Sequence, residues 1–360
     1  MILLNDFKRQ WEDTSEAAIA TFAAVGASGW YILGREVECF EQALARYWGL
    51  GHAVGVASGL DAIEISLKAL GCKAGDRVLT TPLSAFATTL AILKLGALPV
   101  FVDTDPFGLI DLELCRKVLA TRPEIRYFVP VHLYGHALDA TVLESLKNDF
   151  ECAIVEDCAQ SIGASHRGVP PGSTGQIAAT SFYPTKNLGA LGDGGAILTS
   201  DEILARHVRT LRDYGQTAKY RHDVVGYNSR LDELQAGLLH RVYLDRLPTW
   251  TARRRQIAET YIAGICHSGI QVLGAPDGSN SNWHLFPVLV DASRKQDFMT
   301  WLKSAGISCA VHYPIAITDQ LAVAEVGCEM IGEITVARRI CQCEVSLPIH
   351  PYLTDRKSVV

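Results

Sequence analysis

Between about residues 50 and 200, short runs of β-branched and apolar residues alternate with segments whose apolar positions recur every three or four residues. The short runs predict strands at 53–57, 77–81, 99–103, 127–132, 153–157, 178–182 and 195–199, and the spaced pattern predicts helices at 60–70, 85–95 and 139–147. Strands separated by helices need crossover connections. The expected product is therefore an α/β fold, a mostly parallel central sheet with flanking helices on both faces. In such sheets binding sites gather beyond the carboxyl ends of the strands. After residue 229 the pattern turns to long helical stretches, 229–247 and 250–265, and then to a mixture of strands (283–290, 308–313, 345–347) and helices (294–305, 335–341). This divides the chain near residue 245 into a large α/β domain, 1–245, and a smaller C-terminal α+β domain, 246–360.

The 360 residues are 48% hydrophobic and 20% charged, an ordinary globular composition with enough apolar material for a substantial core. A formal net charge of −6 argues against general nucleic-acid binding, which needs a basic face, so any phosphate must be gripped locally. The ten cysteines lack the paired spacing of a zinc site, Cys341-Gln-Cys343 reads as structural, and no metal is expected. So many unpaired thiols suit a reducing cytoplasm. No signal-peptide core follows Met1, and the longest apolar region, about 83–102, is interrupted by Lys94, Gly96 and Pro99; neither export nor a membrane span is expected.

Candidate chemistry sits at the ends of the predicted strands. Asp157 closes the apolar strand 153–157 with Gln160 just beyond it, and Lys186 follows Asp157 by 29 residues in the run Ser181-Phe-Tyr-Pro-Thr-Lys186-Asn-Leu-Gly. A lysine amine holds an aldehyde cofactor as a Schiff base, and a carboxylate facing a pyridine nitrogen keeps that ring protonated and electron-accepting. The pair therefore suggests pyridoxal phosphate (PLP). Lys186 by itself would be an ordinary solvated lysine, and a nearby arginine would satisfy a buried Asp157 as well as a pyridinium would. Ser58-Gly59-Leu60 opens a helix after the first strand, where backbone N–H groups and the helix dipole favour an anion, although such junctions are common. Ser181 offers a hydroxyl to a phosphate, and Phe86, at the start of the next helix, offers a ring to a cofactor or to the core. Neither Gly-x-Gly-x-x-Gly after a strand nor Gly-x-x-x-x-Gly-Lys-Ser/Thr occurs, which weakens dinucleotide and nucleoside-triphosphate readings, a simple NAD-dependent sugar enzyme among them.

Taken in order, Ser58-Gly-Leu-Asp-Ala62, Phe86-Ala-Thr, Phe101-Val-Asp, Glu156-Asp-Cys-Ala-Gln160, Ser181 to Gly189, Gly192-Asp-Gly-Gly and Gly226-Tyr-Asn228-Ser-Arg-Leu resemble one family over nearly the whole chain. It is the DegT/DnrJ/EryC1/StrS family of sugar-nucleotide aminotransferases. The resemblance implies the PLP-dependent transferase fold, type I, and transfer of the amino group of L-glutamate to a nucleotide-linked ketosugar, with the cofactor passing through its pyridoxamine phosphate form. It makes Lys186 the Schiff-base and proton-transfer lysine, Asp157 the pyridine-nitrogen partner and Gln160 a contact to the ring hydroxyl. It makes Ser58, Gly59, Leu60 and Ser181 the phosphate cradle, Phe86 the stacking residue, and Asn228 a phosphate ligand that reaches in from the second subunit of a homodimer. Tyr31, Tyr183, Tyr220, His222, His312 and Tyr313 are candidate sugar or nucleotide contacts, having both an apolar face and a polar tip.

Gly59-Leu-Asp-Ala62 is similar to the loop of family members that make 3-amino sugars from dTDP-3-keto-6-deoxyhexoses. The alternatives are amination at C4 of a UDP, GDP or dTDP sugar, and a non-catalytic regulator that binds PLP or a sugar nucleotide. The implied role is deoxyamino-sugar biosynthesis, as for O-antigen or lipopolysaccharide. Sugar 3-dehydratases of the same fold carry histidine in place of the lysine, so Lys186 speaks against that reading. Two departures from the family pattern stand out. After His312-Tyr-Pro314 the chain runs Ile315-Ala-Ile-Thr318 instead of continuing with proline and histidine, so that edge of the sugar pocket is expected to differ. The stretch after Leu353 is expected to lack or alter the family's final helix.

Overall fold

The computed structural model describes residues 1–354; the expectation about a helix after Leu353 lies outside them. At the centre is an eight-stranded sheet in the order His52–Val56, Gly195–Thr199, Ile177–Ser181, Ala153–Asp157, Ile125–Val129, Arg77–Thr80, Leu98–Phe101, Glu329–Met330. Gly195–Thr199 pairs antiparallel with both neighbours, and the other pairs are parallel. All seven strands expected before residue 200 form, with ends shifted by at most three residues. The three expected helices form as Gly59–Ala69, Phe86–Lys94 and Ala140–Phe150.

Side chains alternate across a sheet, so in Ala153–Asp157 the residues Ile154 and Glu156 face one layer and Val155 and Asp157 the other. Ile154 packs with Leu79, Val100 and Phe128. Val155 packs with Val78, Val129, Ile177 and Ala179 in the opposite layer. Each such side chain is worth about 1.5–3 kcal/mol when buried. A one-residue slip would reverse all of them, so the packing fixes the direction in which Asp157 points.

A second sheet, Ile270–Val272, Phe286–Val290 and Glu344–Leu347, is antiparallel throughout. The helices Leu247–Gly264 and Lys295–Ser304 cover it through Ile257, Tyr261 and Leu302. The chain crosses between the sheets: Glu329–Met330 forms the edge strand beside Leu98–Phe101, and Ile2 bridges to Ile307.

Several elements differ from the pattern-based expectation. Residues 308–313 do not form a strand. Ala310 pairs with Ser346 as an isolated bridge, and two residues on, the His312 N–H donates to the Glu344 carboxylate at 2.7 Å instead of to a backbone carbonyl, which ends the ladder. The strand expected at 283–290 begins at Phe286, because Trp283 has φ of 48°. The helix expected from 229 begins at Glu233 and runs on through a π turn at Leu239–Tyr243. Its delayed start places Glu233 as an acceptor for the N–H groups of Gly34, Glu36 and Val37 at 2.8–2.9 Å, capping the neighbouring helix Arg35–Trp48. The helix Phe7–Ser28 was not expected; its buried positions are Thr14, Ala18, Thr21 and Val25, too small and polar to announce an apolar stripe.

Candidate active site

The carboxyl ends of the central strands open into a cleft of about 360 Å³. Asp157 forms its floor. The Thr88 hydroxyl donates to Asp157 Oδ2 at 2.9 Å and the Ala159 N–H to Oδ1 at 3.1 Å. No cationic side chain lies within ion-pair distance of this carboxylate among the described residues, so the arginine partner left open by the sequence is not there. Burial pushes the Asp157 carboxyl above its ordinary value, and the Ala159 N–H, the Thr88 hydroxyl and the Lys186 amine pull against that. A cation supplied by a ligand would settle the carboxylate in its charged form.

On the other face of the strand, Glu156 accepts from the N–H groups of Gly172, Thr174 and Gly175 at 2.6–2.9 Å and lies 2.8 Å from His132 Nε2. The Leu138 N–H donates to His132 Nδ1, so the imidazole proton sits on Nε2 and donates to Glu156. These groups, with Cys158 close by, are near enough to hold a metal. Their lone pairs and protons are instead occupied by one another, and the assembly acts as a strut that braces the strand carrying Asp157.

Lys186 sits in the tight loop after Ile177–Ser181, where its N–H donates to the Tyr183 carbonyl at 2.8 Å and the Ala190 N–H returns to Phe182 at 2.7 Å. Its Nζ has no hydrogen-bond partner or ion pair among the described residues. Burial lowers the amine from 10.5 to about 8, against the opposing pull of Asp157, so a substantial fraction is neutral near physiological pH. Asn187 secures the next position: its Nδ2 donates to the Asn282 carbonyl at 3.3 Å, and its Oδ1 accepts from His284 Nδ1 at 3.1 Å.

The helix Gly59–Ala69 begins at the cleft with Ser58 as N-cap, its Oγ accepting from the Asp61 N–H at 3.1 Å. The Ala62 N–H is taken by the Ser58 carbonyl, which leaves those of Gly59 and Leu60 open to an anion. The Ser58 and Ser181 hydroxyls lie at the same edge. A Cβ on Gly59 would come within 2.5 Å of Ser181 Cβ, so the close approach requires glycine here. Gly59→Ala is expected to push the loop from Ser181 and weaken cofactor binding at least about tenfold, since one hydrogen bond to a charged group contributes about 1.5–3 kcal/mol. Titration of the apo-protein with PLP, followed by absorbance, checks this.

Gln160 has its amide orientation set by its neighbours. The Tyr134 N–H donates to Oε1 at 2.7 Å, so the NH₂ group points toward Tyr313 Oη, 3.2 Å away, and the cleft. The cleft lining thus collects Ser58, Gly59, Leu60, Asp157, Gln160, Ser181, Tyr183, Lys186, His312 and Tyr313 from the expected residues. Five others lie elsewhere in this single chain. Phe86 packs beside Phe101, Ile317 and Val323, and the cleft is lined by its neighbours Ala85, Ala87 and Thr88. Asn228 is exposed and bridges to Asp213. Tyr31 and Tyr220 are 55% and 83% exposed, and His222 is exposed on the short hairpin that carries Tyr220. The sequence reading missed Thr88, Tyr134 and His284. A buried acid at a strand end needs donors, and Thr88, two residues after Phe86, was the available signal.

A free lysine amine, a buried acid without a cation and an open helix N-terminus together fit an aldehyde, a pyridine nitrogen and a phosphate carried by one molecule. That donor set matches PLP. The model of the DegT/DnrJ/EryC1/StrS aminotransferase family matches residues 12–360. The chain is 40% identical over 354 residues to a dTDP-3-amino-3,4,6-trideoxy-alpha-D-glucose transaminase of Streptomyces venezuelae, covering 97% of this chain and 91% of the relative. The crystal structure of S. venezuelae DesV in complex with a ketimine intermediate superposes with a TM-score of 0.94 at 38% identity, covering 99% of this chain and 95% of that one. The PLP form of the putative sugar aminotransferase Spr1654 from Streptococcus pneumoniae superposes with a TM-score of 0.87 at 26% identity, covering 95% and 93%. The chain belongs to the DegT/DnrJ/EryC1/StrS aminotransferase family and is a PLP-dependent aminotransferase of fold type I.

Proposed function

We propose that the protein transfers the amino group of L-glutamate to C3 of a dTDP-linked 3-keto-6-deoxyhexose. The observation that carries this reading is the unpaired Lys186 amine, lowered by burial to about 8, in one cleft with Asp157 and the open helix N-terminus. The printed name of the S. venezuelae relative supports position 3 and the dTDP group. The Ser58-Gly-Leu-Asp-Ala62 loop supports the same choice.

PLP, when bound, supplies an electron sink that stabilises negative charge at the carbon losing its proton. The chain does the rest. Ser58, Gly59, Leu60 and Ser181 would hold the phosphate. Asp157 would face the pyridine nitrogen and Gln160 would donate to the ring oxygen. Lys186 takes the proton from the amino donor's α-carbon and in the second half-reaction returns one to the sugar carbon. Tyr183, His312 and Tyr313 line the space left for the sugar. Glutamate offered with a panel of dTDP-, UDP- and GDP-linked 3- and 4-ketosugars tests the assignment, with nitrogen located in the product by NMR. Nitrogen at C3 of a dTDP sugar is expected; nitrogen at C4 alone contradicts the assignment.

The proposal includes a homodimer whose sites are completed across the two-fold axis. Phe7, Trp11, Ile19, Trp30, Tyr31 and Ile32 are exposed apolar residues near the start of the chain, side chains suited to burial against a second copy. Asn228, Tyr220, Tyr31 and His222 would then serve the partner's cleft. Mixing Lys186→Ala with Asn228→Ala subunits is expected to restore about a quarter of wild-type activity, since random pairing gives heterodimers with one intact site. Absence of restoration in verified heterodimers contradicts the shared site.

Ten free thiols are consistent with a reducing cytoplasm, and no helix among the described residues is long and apolar enough to cross a membrane. A division near residue 245 into a cofactor domain and a smaller C-terminal domain completes the proposal. The product would be an amino sugar of the kind built into O-antigen or lipopolysaccharide.

A further inference from the structure

Behind the wall of the cleft, the strand Glu344–Leu347 brings a carboxylate and a hydroxyl up to His312. Glu344 and Ser346 are fully buried. Ser346 Oγ donates to Glu344 Oε1 at 2.5 Å, His312 Nδ1 lies 2.9 Å from Ser346 Oγ, and the His312 backbone N–H donates to Glu344 Oε2 at 2.7 Å. Tyr134 Oη donates to the His312 carbonyl at 2.6 Å. His312 is therefore held at its N–H, its carbonyl and one ring nitrogen. Its Nε2, on the opposite edge of the ring, has no partner among the described residues, and the ring lines the cleft.

A hydroxyl has one proton to give. Ser346 gives its proton to Glu344, so its oxygen meets His312 Nδ1 only as an acceptor. The imidazole proton then resides on Nδ1, and Nε2 presents a lone pair. Burial, with the Lys186 amine nearby, lowers His312 to about 4, so the ring is neutral at physiological pH.

We propose that Glu344, acting through Ser346, holds the His312 proton on Nδ1 so that Nε2 accepts a hydrogen bond from a hydroxyl of the sugar substrate. The assignment rests on the sugar-aminotransferase reading. Glu344 and Ser346 are positioning residues, since neither reaches the cleft. An acceptor at this point favours a sugar with a free hydroxyl over one that lacks it or carries a carbonyl there, because the unmatched group would stay unpaired once water is excluded.

The same relay gives the contact a pH dependence. Burial pushes the Glu344 carboxyl up to about 7, against the Ser346 hydroxyl, the His312 N–H and the Lys295 charge. Facing it are Lys295 on Lys295–Ser304, Cys341 on Val336–Cys343, Cys309, Tyr134 and Tyr313. Lys295 is the cation among them, and its Nζ donates to the Cys341 carbonyl at 2.9 Å. When Glu344 gains a proton, its O–H turns to Ser346, the Ser346 proton turns to Nδ1, and the ring proton sits on Nε2. One proton enters, two hydrogen bonds reverse, and the acceptor in the cleft becomes a donor.

The test is ¹⁵N-histidine NMR of the holoenzyme, with the His312 signals assigned by their loss in His312→Gln. In the wild type the proton is expected on Nδ1 at about pH 8.5 and on Nε2 after descent through pH 7. In Glu344→Gln the side-chain oxygen keeps the His312 N–H and the NH₂ donates to Ser346, so Nε2–H is expected at both pH values. Ser346→Ala is expected to uncouple the ring from the transition near pH 7. Nε2–H in the wild type at pH 8.5, or Nδ1–H persisting in Glu344→Gln, would overturn the relay. The wild-type titration alone decides the matter if a variant does not fold. These spectra need no sugar, so they stand or fall apart from the substrate reading. For the contact itself, Glu344→Gln is expected to lower kcat/KM for the ketosugar about tenfold while the glutamate half-reaction keeps its rate; an unchanged ketosugar kcat/KM with a shifted ring proton overturns the contact.

Discussion

Lys186→Met is expected to lower the glutamate-dependent rate at least about a thousand-fold, within the range assigned to general acid–base groups. No other amine lines the cleft among the described residues. Asp157 is engaged by Thr88 and Ala159, and His284 is tied through Nδ1 to Asn187; His312 keeps an open Nε2, but an imidazole cannot hold an aldehyde as a Schiff base, so it does not replace the lysine. Steady-state rates with glutamate and a ketosugar check this, and wild-type turnover would refute the role. The same substitution has a signature in the apo-protein. The folded amine titrates at about 8 and the unfolded one near 10.5. Well below pH 8 the amine is charged in both states and its burial cost is fully present. Between 8 and 10.5 the folded state sheds its proton first, so wild-type stability rises with pH. Lys186→Met apo-protein is therefore expected to be the more stable below pH 8, by on the order of 3 kcal/mol, with the advantage fading toward pH 10.5. Thermal midpoints across that range measure it, and a gap that widens with pH would contradict the burial argument.

Asp157→Asn is expected to give the other large loss, roughly a hundred- to a few-thousand-fold in kcat/KM. The substitution keeps the size of the side chain and removes the charge. Breaking a buried ion pair by removing one partner costs about 3–5 kcal/mol, and each 1.36 kcal/mol is a factor of ten in rate. Asp157 is the cleft carboxylate that is fully buried with donors but no cation of its own among the described residues, so the proposed pyridine-nitrogen contact has no buried substitute. The matching readouts are kcat/KM and the affinity of the apo-protein for PLP. Wild-type kinetics in Asp157→Asn would remove the carboxylate from the mechanism.

The fold was legible wherever a signal was local. The strand Ala153–Asp157 is apolar on both faces because helices cover both sides of a parallel sheet, so its run is unbroken until the acids at its end. The loop Ser181 to Lys186 and the junction at Ser58 were legible for the same reason: each follows directly from a strand whose end points at the cleft. The rest depended on distant chain segments. Tyr134 and Gln160 are 26 residues apart, and Asn187 and His284 are 97 apart, so no window of sequence announces either pair. Glu344 defeats the strand expected at 308–313 by taking the His312 N–H with its side chain, a competition that periodicity does not register. Tyr31, Tyr220, His222 and Asn228 belong to surfaces that one chain leaves exposed.

Lys186 is proposed to carry the cofactor. Reduction of freshly purified holoenzyme with borohydride, followed by proteolysis and mass mapping, tests it most directly. One pyridoxyl group per chain is expected, on the peptide containing Lys186. A label on another lysine, or none in protein that retains its cofactor colour, would contradict it.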